Sequence, residues 1–149
     1  MDKNYQEDRN KPLTKISPED YFDANGFVKT DLFEDKAAKI AWGFKYGNTG
    51  NIKGTQIRKF YDEVLRLKLQ IEQIESADNP EEKFKEILPY IKMLIPKVVY
   101  SRNKKTANGA FEEFIKDNIR KIRNRREFMV FCDLFECVVA YCKEYFKDT

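Results

Sequence analysis

The sequence predicts an all-α fold: a compact bundle of about five helices behind a polar, mobile N-terminal arm. Three observations carry this expectation. Apolar residues recur at i, i+3, i+4 and i+7 through most of the chain, the spacing of one buried helical face. Alternating strand patterns, and Asn-Gly hairpin turns between β-rich runs, are absent. The 149 residues include twelve Phe and eight Tyr, far more than a disordered polypeptide carries. That length suits one domain, which removes about two-thirds of its unfolded surface from water.

Residues 1–25 are polar and hold Pro12 and Pro18, so they read as the arm, with 26–149 as a single helical domain. Asp31 is placed to cap a first helix to about Gly43 that buries Leu32, Ile40 and Trp42. Gly43, Gly47, Gly50 and Gly54 follow as a flexible connector. They do not make a phosphate loop, because Lys53-Gly54-Thr55 reverses the required order and no strand precedes it. Thr55 opens a second helix to about Ala77, with Ile57, Phe60, Tyr61, Val64, Leu67, Ile71 and Ile74 on its inner face. Asp78-Asn79-Pro80-Glu81-Glu82 restarts the chain: a capping side chain, a first-turn proline, then acids at the positive end of the helix dipole. The third helix buries Phe84, Ile87, Leu88, Ile91, Leu94, Ile95 and Val98, and Pro89 and Pro96 should bend it into pieces. Residues 101–109 read as a basic loop. A fourth helix over about 110–123 buries Phe111, Phe114, Ile115, Ile119 and Ile122. A fifth, over about 126–147, is apolar nearly all round and should be the most enclosed.

Composition excludes several chemistries. Histidine is absent, which removes His-dependent triads, His-based zinc sites and imidazole bases. Cys132, Cys137 and Cys142 repeat every five residues, about 140° apart on a helix, and cannot converge on one metal; they read as small core residues. Glu81-Glu82, Glu112-Glu113 and Asp62-Glu63 are adjacent pairs that diverge by about 100° and suit solvation rather than acid–base work. No enzymatic activity and no cofactor are expected. No apolar run reaches the roughly 18 residues of a membrane span, and the polar N-terminus has no signal-peptide core. The reading is cytoplasmic.

Charge gives the functional signal. The net charge of +3 conceals a block at residues 97–126 with ten basic and three acidic side chains, which suggests a polyanionic partner. With Phe111 at zero on the fourth helix, Lys116, Arg120 and Arg123 fall near 140°, 180° and 120°, a stripe opposite the apolar face. Arg125 and Arg126 extend it. Arg58, Lys59 and Arg66 point outward from the second helix, with Asp62 between them, and Arg102, Lys104 and Lys105 sit in the loop. Arginine forks suit phosphate oxygens, so this set reads as a track for a single strand's backbone. Tyr61 and Tyr100 serve as core residues or as stacking platforms for bases. Sequence-specific readout is not expected, since no zinc finger, RRM signature or KH loop is present. A helix-turn-helix reader is disfavoured because the helix after Asn124 is too apolar for a groove.

Three segments, in order, carry a family resemblance: Thr55-Gln56-Ile57-Arg58-Lys59-Phe60-Tyr61, then Leu94-Ile95-Pro96-Lys97-Val98-Val99-Tyr100, then the run from Phe131 to Lys143. Over about residues 32–147 the chain resembles the small subunit of type III-A (Csm) CRISPR effector complexes. The resemblance implies a non-catalytic helical protein stacked in several copies along a ribonucleoprotein filament. It implies contact with single-stranded target RNA and with the guide–target RNA duplex, beside a backbone subunit and a large polymerase-like subunit. Arg58 matches the arginine of the first segment. The family's arginine four residues past the tyrosine falls on Lys104 here, with Arg102 two residues earlier. The alternative is an all-α adaptor whose basic face meets an acidic protein, with Leu69 on the outer side of the second helix available to a partner helix.

Overall fold

The computed structural model describes residues 15–147. Every regular element there is helical. A π-helical turn, Leu32–Lys36, leads directly into α1, Ala37–Tyr46. Then follow α2 (Gly54–Ile74), α3 (Pro80–Lys92), α4 (Leu94–Asn103), α5 (Gly109–Lys121) and α6 (Arg125–Tyr145).

Most of these boundaries follow the apolar periodicity, and the departures have local causes. The Asp31 side chain makes no cap bond; it faces Lys36 at 3.8 Å, and the Lys36 N–H donates to the Asp31 carbonyl five residues back. Pro89 lies within a continuous α3. The break comes at Met93, and Pro96 explains it: proline has no N–H to donate to Lys92, and its ring would crowd that carbonyl. Beyond the break α4 continues to Asn103, so Arg102 stands on a helix, and the expected nine-residue loop shrinks to its last few positions.

The connector after α1 is pinned rather than flexible. Asn108, buried, accepts the Phe111 N–H as N-cap of α5 and donates to the carbonyls of Phe44 and Gly50. Thr49 accepts the backbone N–H groups of Gly109 and Ala110. Lys92 closes the other end of α5: its ammonium reaches the carbonyls of Ile119, Arg120 and Ile122, the orphan acceptors of a helix C-terminus.

The end of the expected arm packs on the bundle. Residues 1–14 of that arm lie outside the described residues, but Ile16 and Tyr21 are buried. The Tyr21 hydroxyl donates to Asn118 in α5, and burial pushes this phenol well above the usual tyrosine range. A small hairpin follows, closed by the Phe22–Val28 bridge. Asn25-Gly26 forms its tip, with Gly26 at φ +82°; this is an Asn-Gly hairpin turn the sequence was not expected to hold, its arms being too short to form β-rich runs.

α6 is the most enclosed helix, with Phe128, Phe131, Leu134, Phe135 and Val138 sealed from solvent. Phe114 and Phe135 pack edge-on across α5 and α6 at 5.4 Å, the favoured geometry for aromatic pairs. Cys132 and Cys142 are core residues, and Cys137 is half-buried.

Candidate nucleic-acid interface

α2 and α4 leave an open groove of about 690 Å³ between them. From α2 it is lined by Gln56, Lys59, Asp62, Glu63 and Arg66, and from the α3–α4 side by Met93, Pro96, Lys97 and Tyr100. A recess holding Lys53, Gln56 and Lys105 continues it at one end, and one holding Arg66, Tyr90 and Lys97 at the other.

The α3–α4 wall follows from spacing. Ile91, Leu94 and Val98 turn inward, so Tyr90, Met93, Lys97, Tyr100 and Lys104, at alternating steps of three and four, take the outer side. Tyr90 and Tyr100 are each 62% exposed and Met93 47%. The Lys104 ammonium stands 5.2 Å over the Tyr100 ring, a cation–π arrangement. Tyr61, by contrast, is in the core.

Lys105 adds strain. It has φ +64°, in the left-handed region just past the end of α4, where the Thr106 N–H closes onto the Ser101 carbonyl at 2.9 Å. Glycine is the ordinary residue there, and a side chain costs about 1 kcal/mol. The lysine is held at that cost at the rim of the recess that continues the groove.

The sequence-predicted cations separate into three sets. Lys59, Arg66, Lys104 and Lys105 gather along the groove. Arg66 lies 3.4 Å from Glu63, with its side chain 68% exposed, a weak surface pair. The second set lies on the far side of α4. Arg102, two residues past Tyr100, points about 160° away from it, and a Cβ on Gly109 would stand 3.9 Å from its Nε. Lys116 and Arg120 follow Gly109 along α5 within about 20°. Among the described residues no carboxylate is ion-paired with any of these three, although Glu113 and Asp117 lie on the same helix.

The third set is engaged within the chain. Arg58 pairs with Asp62 at 3.3 Å and borders Tyr61. The expected stripe does not extend to Arg123, because Ile122 leaves the helix at ψ 123°. Arg123 instead meets the buried Glu127 at 3.0 Å, a hydrogen bond that raises its pKa. Arg125 meets Glu81 at 3.5 Å. Arg126 donates to the Gly26 carbonyl at 2.6 Å and covers the Phe22 ring at 4.3 Å. Lys53, Lys97, Tyr90 and Met93 are groove residues that sequence reasoning missed; the outer-face spacing of the last three was the available signal.

Fold and site define a small all-helical protein with an open groove of cations and aromatic rings. Among the described residues no three His, Cys, Asp or Glu side chains are placed to hold a metal ion, and no helix is long and apolar enough to cross a membrane. The chain belongs to the Csm2 Type III-A family, whose description it matches over residues 28–148, and is a small subunit of a type III-A Csm complex. Comparisons with curated proteins and with solved structures gave no match.

Proposed function

We propose that this subunit binds RNA, without catalysing a reaction, along the α2–α4 groove. Target RNA, single-stranded or paired to guide RNA, is the partner, and copies of the chain stack beside the backbone and polymerase-like subunits in the cytoplasm. The observation that carries the reading is the outer face of α3–α4, where Tyr90 and Tyr100 alternate with Lys104 and with Lys97, itself 3.1 Å from Glu63, opposite Lys59 and Arg66. Cations follow a phosphate chain while rings stack on bases, the general design of single-strand binding. Lys53 and Lys105 lengthen the track, and Arg102, Lys116 and Arg120 supply a second run of phosphate contacts.

Binding of labelled single-stranded RNA across a salt series tests this. With about four phosphates held per copy, the logarithmic salt slope should be near −3, at about −0.7 per contact. Affinity unchanged between low and moderate salt contradicts the proposal. Displacement of the RNA by an acidic protein at lower concentration than by unlabelled RNA favours the adaptor reading.

A further inference from the structure

The α2 wall of the groove places an acid between two cations. Phe60, Val64 and Leu67 turn into the core. Lys59, Glu63 and Arg66, each one residue earlier, form a parallel row at i, i+4 and i+7, about 10 Å long. Along the groove that row runs cation, anion, cation.

Glu63 is engaged through both of its oxygens. Oε2 accepts from the Lys97 ammonium at 3.1 Å, across the groove, and Oε1 accepts from the Arg66 guanidinium at 3.4 Å. Among the described residues this is the one ion pair that joins α2 to α4. A small oxyanion with each oxygen held by a cation from a different side is in the setting that a phosphate group takes in a basic site. The Glu63 side chain is 33% exposed and Lys97 46%, so the pair is reached by solvent and open to exchange. A purely mechanical strut is a poor use for it, since exposed ion pairs contribute little stability. Asp62, the next acid on this wall, differs: it pairs at 3.3 Å with Arg58 on its own helix, and Arg58 lines the recess between α2 and α6 instead of the groove.

We infer that Glu63 is the groove's resident anion: it holds the place of an RNA phosphate between Lys97 and Arg66, and a strand must displace it to engage those two cations. This rests on the reading of the groove as an RNA track. Lys59, Lys104 and Lys105, which have no carboxylate ion-paired to them among the described residues, take the strand first. The next phosphate along then meets the carboxylate at high effective concentration. Glu63 thereby holds the grip on RNA below what the groove's cations would deliver without it.

Binding of labelled single-stranded RNA to the full chain carrying Glu63→Gln, across a salt series, tests this. Glutamine keeps the shape and accepts hydrogen bonds but carries no charge. RNA affinity should rise about tenfold at moderate salt, and the salt slope should steepen by about 1.4 units, two contacts at about 0.7 each. The thermal midpoint should move by no more than a degree or two. Asp62→Asn removes the same charge from the same wall but frees no groove cation, so its slope should stay at the wild-type value. Lys97→Met should cost more affinity in the Glu63→Gln background than in the wild-type chain, the mark of coupling between the two side chains. Wild-type affinity and slope in Glu63→Gln, in a protein whose RNA binding Lys59→Glu weakens, overturn this inference and leave the groove reading standing. An equal steepening in Asp62→Asn overturns it too, as an effect of net charge alone, and so does an equal cost of Lys97→Met in both backgrounds. Weaker binding by Glu63→Gln together with a lower midpoint would make the pair a strut, against the inference. RNA binding absent from both the wild type and Glu63→Gln overturns the groove reading and this inference together.

Discussion

At the junction of α5 and α6, Arg123 meets Glu127 at 3.0 Å, Arg125 meets Glu81 at 3.5 Å, and Arg126 donates to the Gly26 carbonyl. In the groove, Lys59 and Lys105 line the wall with no carboxylate ion-paired to them among the described residues, and Lys104 stands over an exposed tyrosine. Both regions contribute to the chain's positive charge. The junction directs its charge inward, fastening the N-terminal hairpin and the α6 start to the bundle; the groove leaves Lys59, Lys104 and Lys105 without an ion-paired carboxylate among the described residues, while Lys97 and Arg66 share Glu63 at 3.1 and 3.4 Å. A count of basic residues along a sequence does not separate the two, because an ion pair neutralises a guanidinium without changing the composition. Substitutions at the junction should therefore alter stability, and substitutions in the groove should alter RNA affinity.

The largest expected effect is on the junction side. Tyr21→Ala removes a sealed aromatic ring and its bond to Asn118, and should cost about 3–5 kcal/mol of stability. RNA affinity of the chain that remains folded should be unchanged; urea denaturation and a binding titration read the two separately. On the groove side, Tyr100→Ala should weaken single-stranded RNA binding by about 1–3 kcal/mol while leaving the thermal midpoint within a degree or two. A large fall in midpoint would show Tyr100 to be structural.

Lys105→Gly sharpens the contrast at a single residue. It relieves the left-handed strain but frees the unfolded chain, so stability should stay level or rise by up to about 1 kcal/mol. RNA binding should weaken about threefold, one phosphate contact's worth at moderate salt. Lower stability together with unchanged binding would count against both parts.

The smallest effect near neutral pH comes from groups buried in uncharged form. Burial raises the Tyr21 phenol and the Cys132 thiol well above their ordinary ranges and pushes Cys142 up to about 12. A raised folded-state pKa favours the protonated form in the fold. That stability is fully present below the unfolded values, 9.0 for the thiols and 10.0 for the phenol, and is lost as pH climbs toward the folded ones. The melting temperature should be level from pH 6 to about 8.5 and then fall, less steeply in Tyr21→Phe. Alkylation should mark Cys137 first, since Cys132 and Cys142 become reachable only on unfolding.

Helix placement was legible in the sequence because burial imposes the 3.6-residue period; Phe111, Phe114, Ile115 and Ile119 are all in the core. The Asn79-Pro80 start was legible because proline and the following acids mark a first turn. The seating of residues 15–29 was not. Tyr21 is one apolar residue in a polar stretch, and its partner Asn118 is 97 positions away. The pairing of exposed Arg123 with buried Glu127 was hidden for a different reason: the helical wheel extends the stripe through Arg123, but the backbone leaves the helix at Ile122. The groove lay between these cases. Its cations Lys59 and Lys104 were visible as charges, whereas the outer row of Tyr90, Met93 and Tyr100 had the right spacing but resembled more core.

The most direct test of this division of charge is the salt dependence of RNA binding in two double variants, Lys59→Glu with Lys104→Glu in the groove and Arg123→Gln with Arg125→Gln at the junction. The groove variant should lose about 1.4 units of salt slope, two contacts at about 0.7 each, while the junction variant keeps the wild-type slope and loses stability instead. A junction variant that loses the slope while the groove variant retains it would contradict the account.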